Sequence, residues 1–265
     1  MPSQFSAIGF HVTSGEDLAS LATHVAERAD TIDAPGGQYL KWAPPSGEQL
    51  WLQLTRSGDA MGMNPHFGGR SRVRIGIEAR IARKAHTPLD ATFLAWANPP
   101  AGAATGGDYP FAFDCPDGAV HEHLELPFVV DAQMAAFAQQ ITVYESVGAF
   151  EAAQAAEGLP FASRSFIPSG LISPEGEPLN PPESHALISG HVVEAAEQRN
   201  AVSGAPFWWA LLDTVGGTFD VVIDPELLHG PVHPGNVISG WFWLSGRLLF
   251  AQPRSGWFSR LTGRR

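Results

Sequence analysis

The stretches GGDYPFAFDCP at residues 106–116 and GGTFDVVIDPE at residues 216–226 share one pattern. Each opens on paired glycines and places an aromatic residue three positions on. An apolar residue and an aspartate follow, seven and eight positions after the first glycine. Glycine pairs supply the positive φ angles of tight turns, and apolar alternation behind them marks a half-buried strand. Trp96-Ala97 and Trp209-Ala210 follow Gly76 and Gly190 by about twenty residues, so the likeness extends upstream. A chain that repeats such a unit reads as two related β-modules. Glycine (28) and proline (22) together exceed a sixth of the 265 residues, which favours turns and short strands over long helices.

Along the chain the patterning predicts an α+β protein with a α+β unit at 1–70 and a β-rich module at 71–147. A helix and a Pro/Gly-rich linker or arm then occupy 148–183, a small β-barrel 184–250, and a basic tail 251–265. In the first unit FSAIGFHV (5–12) reads as a strand, and Ser14 with Asp17 has the spacing of a reciprocal helix cap. Leu18, Leu21, Ala22, Val25 and Ala29 then mark one helical face. QYLKWAPPSGEQLWLQL reads as strand, turn and strand, and AMGMNPHF as a short apolar piece. In the second unit VRIGIEARI, ATFLAWAN and DYPFAFD are strands. AFAQQITVYES is a fourth, with a short helix over 131–138 as the open alternative. GAFEAAQAAEG is a small helix. The last module draws strands from HALISGHVVEAAEQRN, APFWWALLDTV, GTFDVVIDP and NVISGWFWLSGRLL, with Gly190 marking a bulge or a sharp coil.

Charge narrows the function. The net charge is −11, each segment up to residue 250 is acidic, and the last fifteen residues carry four arginines and no acid. Phosphate backbones are held by cations that release counterions, so this distribution argues against nucleic acid. The single cysteine, Cys115, leaves no partner for an internal disulfide. No apolar run nears the ~18 residues of a membrane span, and the N-terminus lacks the basic start and apolar core of a secretory signal. The expectation is a soluble, cytoplasmic protein.

Residues 185–250 carry a further pattern: ISGHVVEAAEQRN, GAPFWWALLDTVGGTFDVVI and PGNVISGWFWLSGRLL, with Asp213, Gly216, Gly235 and Gly240 at the turn and strand-closing places. This resembles oligonucleotide/oligosaccharide-binding (OB) folds, which implies a small barrel and a binding role. The basic groove of that family is missing, since Arg199 and Arg247 are the only cations of this module. The strand–helix–strand–strand order over about residues 5–66 resembles one half of the vicinal-oxygen-chelate (glyoxalase-like) superfamily. That resemblance implies a divalent metal held between paired halves, with His11 at the place of a first-strand ligand. The order NPHF, GGTFDVVIDPEL, FWLSGR also resembles an uncharacterised bacterial family, which transfers no activity.

Catalytic signatures are sparse. No phosphate loop, dinucleotide fingerprint, H-E-x-x-H or G-x-S-x-G occurs, so no cofactor is expected. Cys115 lies between Asp114 and Asp117, which raise a thiol pKa and make it a structural residue. HEHLE (121–125) reads as a polar edge or loop before LPFVV; as a strand it would put His121 and His123 on one face, able to reach one metal, with His11, His66 or Glu48 completing the set. HGPVHPG, with His229 and His233, reads as a turn. Trp241 and Trp243 share one face of their strand and Phe242 the other. Facing inward the Trp pair is core packing, the preferred reading. Facing outward it is a flat platform for a base, a sugar or a partner side chain. The tail, with Trp257, Phe258 and Leu261 among its arginines, could touch an anionic membrane or an acidic partner. The expected function is a non-enzymatic binding protein that engages a protein or a small molecule through the OB-like module, at Trp241 and Trp243. A metal-dependent glyoxalase-like enzyme is the alternative, and single-stranded nucleic-acid binding is the reading that charge disfavours.

Overall fold

The computed structural model describes residues 3–158, 161–169, 171 and 181–250. The opening apolar stretch is not a strand. Ser6–Ile8 form a 3₁₀ turn that stops at Gly9, whose φ of 80° lies in the left-handed region. Helix α1 (Gly15–Ala26) starts at the expected cap, where the Ser14 hydroxyl accepts from the Asp17 N–H and the Asp17 carboxylate accepts from the Ser14 N–H. Leu21 and Val25 are its buried side chains. Strands β1 (Asp30–Ala34), β2 (Gly37–Trp42), β3 (Glu48–Leu54) and β4 (Ala60–Phe67) then form an antiparallel sheet in chain order. The unit is therefore one helix followed by four strands.

The remaining strands form one continuous pairing system: β5 (Val73–Ile81), β6 (Thr92–Ala97), β7 (Pro110–Asp114), β8 (Phe128–Tyr144), β9 (Ser165–Ile167), β10 (His185–Arg199), β11 (Pro206–Thr214), β12 (Gly217–Ile223) and β13 (Val237–Leu249). Helix α2 (Val147–Glu157) lies between β8 and β9. Two closed rings run through this system. One is β5-β6-β7-β13-β8 and the other is β10-β11-β12-β8-β13. The rings have the same wiring. In each, the third strand runs parallel to a long strand of the other set, β7 to β13 and β12 to β8. Strands β8 and β13 pair with each other over nearly their whole lengths and belong to both rings.

The glycine pairs of the repeated motif stand at the entrance to the third strands, Gly217 being the first residue of β12. Gly106 and Gly107 have φ of 79° and 155°, Gly216 and Gly217 of 86° and 142°, so each pair occupies the region open to glycine. The segments 71–147 and 184–250 are not self-contained, because each ring closes only on a strand of the other. The arm at 148–183 supplies a strand as well, since β9 pairs with β10. Residues 172–180 of that arm and the tail 251–265 lie outside the described residues. The irregularity expected at Gly190 falls two residues later, between Val192 and Glu194. Gly190 is instead a point of close approach, where a Cβ would meet Asp213 O and Leu212 Cγ at 2.7 Å.

Packing follows the alternation along β8. Ala132, Met134, Ala136 and Ala138 face the barrel interiors with Phe93, Phe111, Phe113, Phe219 and Phe242. Ala135 and Phe137 face the other way, against a second core made with Trp42, Leu50, Leu52, Phe67, Phe207 and Trp209. The N-terminal unit thus covers the outer face of β8, β11 and β12. Burying an aromatic side chain in this way contributes roughly 1.5–3 kcal/mol each.

Candidate functional site

The aromatic triplet on β13 divides opposite to the preferred reading. Phe242 is fully buried in the barrel, and both tryptophans point outward. Trp241 is 43% exposed. Trp243 is half-buried, packs on Phe137 with ring centroids 4.9 Å apart, and donates its indole N–H to Asp114 Oδ2 at 2.7 Å. The two therefore line different surfaces: a groove beside α2 for Trp241, and a polar cleft for Trp243.

The cleft lies where the N-terminal sheet, the β5–β6 loop and the shared strand β13 meet. One lobe of about 150 Å³ is lined by Asn64, His86, Asp90, Asp114, Cys115, Trp243 and Ser245. A second lobe, of about 280 Å³, shares His86, Asp90 and Ala91 with the first and adds Arg80, Arg83 and Glu122. Asp114 and Asp90 are fixed by neutral donors. Asp114 accepts from Thr92 and Ser184 on Oδ1 and from Trp243 on Oδ2. Asp90 accepts from Gln53 and Asn64 on Oδ1 and from the Thr87 N–H on Oδ2. A carboxylate offers about four acceptor sites, so each keeps capacity for a further donor. Arg83 places its guanidinium 3.9 Å from Asp114 and donates to the Pro182 carbonyl, while its buried Nε has no partner among the described residues.

Asp114 and Asp224, equivalent in the repeated motif, have diverged. Asp224 caps a 3₁₀ turn by accepting from the Glu226 N–H. Asp114 orients Trp243 on the neighbouring strand β13.

Behind the cleft runs a buried polar chain. Asp220 is fully buried and accepts four N–H donors: the backbone of Arg70 and Ser71, Gln133 Nε2 and Trp209 Nε1. Gly69 makes the approach possible, because a Cβ there would stand 2.1 Å from the Asp220 carboxyl. Gln133 donates to Asp220 and to the Phe67 carbonyl, so its Oε1 must accept from His66 Nε2, at 2.8 Å. That fixes the tautomer, and His66 Nδ1 accepts from Ser245 Oγ at 2.8 Å. The array has the connectivity of a nucleophile, base and orienting group. Its chemistry is different: burial, reinforced by nearby Arg247, lowers the His66 pKa to about 3.

Below this, Arg247 donates twice to Asp117 Oδ2, at 2.9 and 2.6 Å, and stacks over Trp51 at 4.8 Å. Burial alone would raise the Asp117 pKa, but Arg247 outweighs it and holds the carboxyl below its ordinary value. Cys115 donates its thiol to Asp117 Oδ1 at 3.3 Å, and burial with that neighbouring charge pushes the thiol pKa well up. The thiol is thus a poor nucleophile.

The candidate metal ligands are dispersed. His11 is exposed beside α1, ahead of the helix rather than on a strand. His66 is sealed between β4 and the barrel. His121 ends a 3₁₀ turn and the exposed His123 follows in a turn, so HEHLE is the loop before LPFVV and the pair has no shared strand face. Glu48 is buried, with Oε1 accepting from the Ala201 N–H. Among the described residues no three His, Cys, Asp or Glu side chains gather in a metal-holding group, and no helix is long and apolar enough to cross a membrane.

Sequence reasoning singled out Trp241 and Trp243 as site residues, and Asp114 only as a motif position and a neighbour of Cys115. It missed Arg83, His86 and Asp90, which sit in a loop without periodicity, and the chain Asp220–Gln133–His66–Ser245, which spans four strands or loops distant in sequence. Comparison with family models, curated proteins and solved structures returns no match.

Proposed function

We propose that this is a non-enzymatic binding protein built on two OB-like barrels, with a small polar molecule as ligand and the cleft beside Trp243 as its site. Support for the OB-like reading is the order of pairing. Each ring has three antiparallel strands in sequence, a 3₁₀ turn between third and fourth, and a parallel pairing of the third with the closing strand. The closing strand comes from the other module. In such barrels the strand 2–3 face carries the ligand. On the C-terminal ring that face, β11–β12, lies under the N-terminal unit, which directs binding to the seam instead.

The observation that carries the functional reading is the pairing of opposite charges with unused hydrogen-bonding capacity. Asp114 and Arg83 stand 3.9 Å apart where the two lobes meet, and Arg83 Nε is buried without a partner. A ligand with a donor-bearing cationic group toward Asp90 and Asp114 and an anionic group toward Arg83 satisfies both. That is the chemistry of a small zwitterion of the amino-acid class. His66 supports binding over catalysis: a base that protonates only near pH 3 draws a proton from Ser245 far less readily than an ordinary imidazole.

The test is calorimetric titration with free amino acids and dipeptides. Micromolar to millimolar binding, weakened at least about tenfold by Asp114→Asn and by Arg83→Ala, supports the assignment. Stoichiometric metal whose removal abolishes turnover of a substrate would favour the glyoxalase-like alternative.

A further inference from the structure

The groove beside α2 shares no lining residue with the cleft. Its floor is the outer face of β10, β13 and β8, where the register sets two rows of side chains. Leu187, Trp241 and Gln140 make one row, and Ser189, Ser239 and Thr142 the next. Gln154 of α2 and Phe161 close it from above. Its volume is about 220 Å³. An apolar cavity of about 150 Å³ holds a benzene molecule, so this groove accommodates one substituted six-membered ring.

Two independent features point to a ligand. Trp241 keeps 43% of its surface exposed, while Phe242 beside it is fully buried and Trp243 half-buried. Gln154 is only 8% exposed, yet its Oε1 has no hydrogen-bond partner among the described residues. A buried acceptor left unsatisfied is destabilising, and a bound donor would relieve it. The polar groups here are amides and hydroxyls, and Glu157 is the one formally charged residue among the described lining residues.

We propose that this groove binds a neutral, hydroxyl-rich ring, a saccharide unit, with Trp241 stacked on the ring's C–H face and Gln154 Oε1 accepting from a hydroxyl. The flat indole matches the apolar face of a pyranose, and the amides and hydroxyls around it match the equatorial groups at its edge. An anionic ligand would find no compensating cation among the described lining residues.

Methyl β-glucoside, methyl β-galactoside, methyl α-mannoside and N-acetylglucosamine serve as probes for the full chain, followed by calorimetry and by the Trp241 indole N–H resonance. The expected result is millimolar or tighter binding of at least one probe, with displacement of that resonance. Affinity should fall at least about tenfold in Trp241→Ala. It should hold between about 50 and 500 mM salt, because no ion pair is involved. Asp114→Asn in the cleft should leave it unchanged, which separates this site from the cleft. Trp241 is surface-exposed, so its removal leaves the fold intact, and Gln140→Ala gives a second reading on the same row. No response to any probe overturns the proposal, as does saccharide binding that Trp241→Ala and Gln140→Ala leave unaltered.

Discussion

Asp220 is held by N–H donors rather than by a cation: Arg70 gives it a backbone N–H, while its guanidinium stacks on Trp209 at 4.8 Å and pairs with Glu194. Asp220→Asn would turn an NH₂ group toward donors that require an acceptor. The expected cost is about 3 kcal/mol in urea unfolding; a loss below about 1 kcal/mol would mean that the chain Asp220–Gln133–His66 is not cooperative. The same chain makes stability depend on pH. His66 has a folded pKa of about 3 against an ordinary 6.5, so between these values the unfolded chain binds the proton that the folded one refuses. Its contribution is complete above pH 6.5 and is lost as pH falls toward 3. Unfolding free energy should therefore decline over that window, and His66→Gln should flatten the decline while lowering stability at neutral pH. An unchanged acid slope in the variant would contradict the assignment. None of this was legible beforehand, because His66, Gln133 and Asp220 have no common spacing, and a buried network is decided by which strands meet.

Strand β8 shows what pattern reading can and cannot resolve at the scale of an element. Its segment DAQMAAFA (131–138) left a short helix open beside the strand, since an Ala-rich run buried on both faces lacks the polar alternation that identifies a strand. The small residues have a packing reason. Ala136 faces the barrels while Ala135 faces the N-terminal sheet, and β8 also pairs with β5, β12 and β13. Ala136→Leu should overfill this crossing and cost about 1–3 kcal/mol, measurable as a lower urea midpoint at unchanged slope. An unaltered midpoint would show that β8 has slack there. On β13, by contrast, the alternation of Trp241, Phe242 and Trp243 was clear, and only its phase was open. Phe242 took the interior because the Trp243 indole has its acceptor, Asp114, on the outer side.

For the whole molecule, the repeat announced two related β-modules, and the glycine pairs do stand at equivalent turns. Their sharing of β8 and β13 was not legible, because ring closure depends on contacts remote in sequence. The arrangement makes residues 184–250 dependent on β8: expressed alone, that segment should show neither dispersed amide resonances nor a cooperative unfolding transition, whereas a folded fragment would mean the ring closes without its partner. The shared strand also brings Trp243 and Ser245 to the seam where Asp90, Asp114 and Arg83 converge, and the proposal of a binding role at that cleft rests on this convergence. Amide resonances followed during titration with free amino acids and dipeptides test it most directly. The account predicts saturable shifts clustered at residues 83–92, 114–116 and 243–245 that vanish in Asp114→Asn. Absence of any saturable shift there, across the whole set, would contradict it.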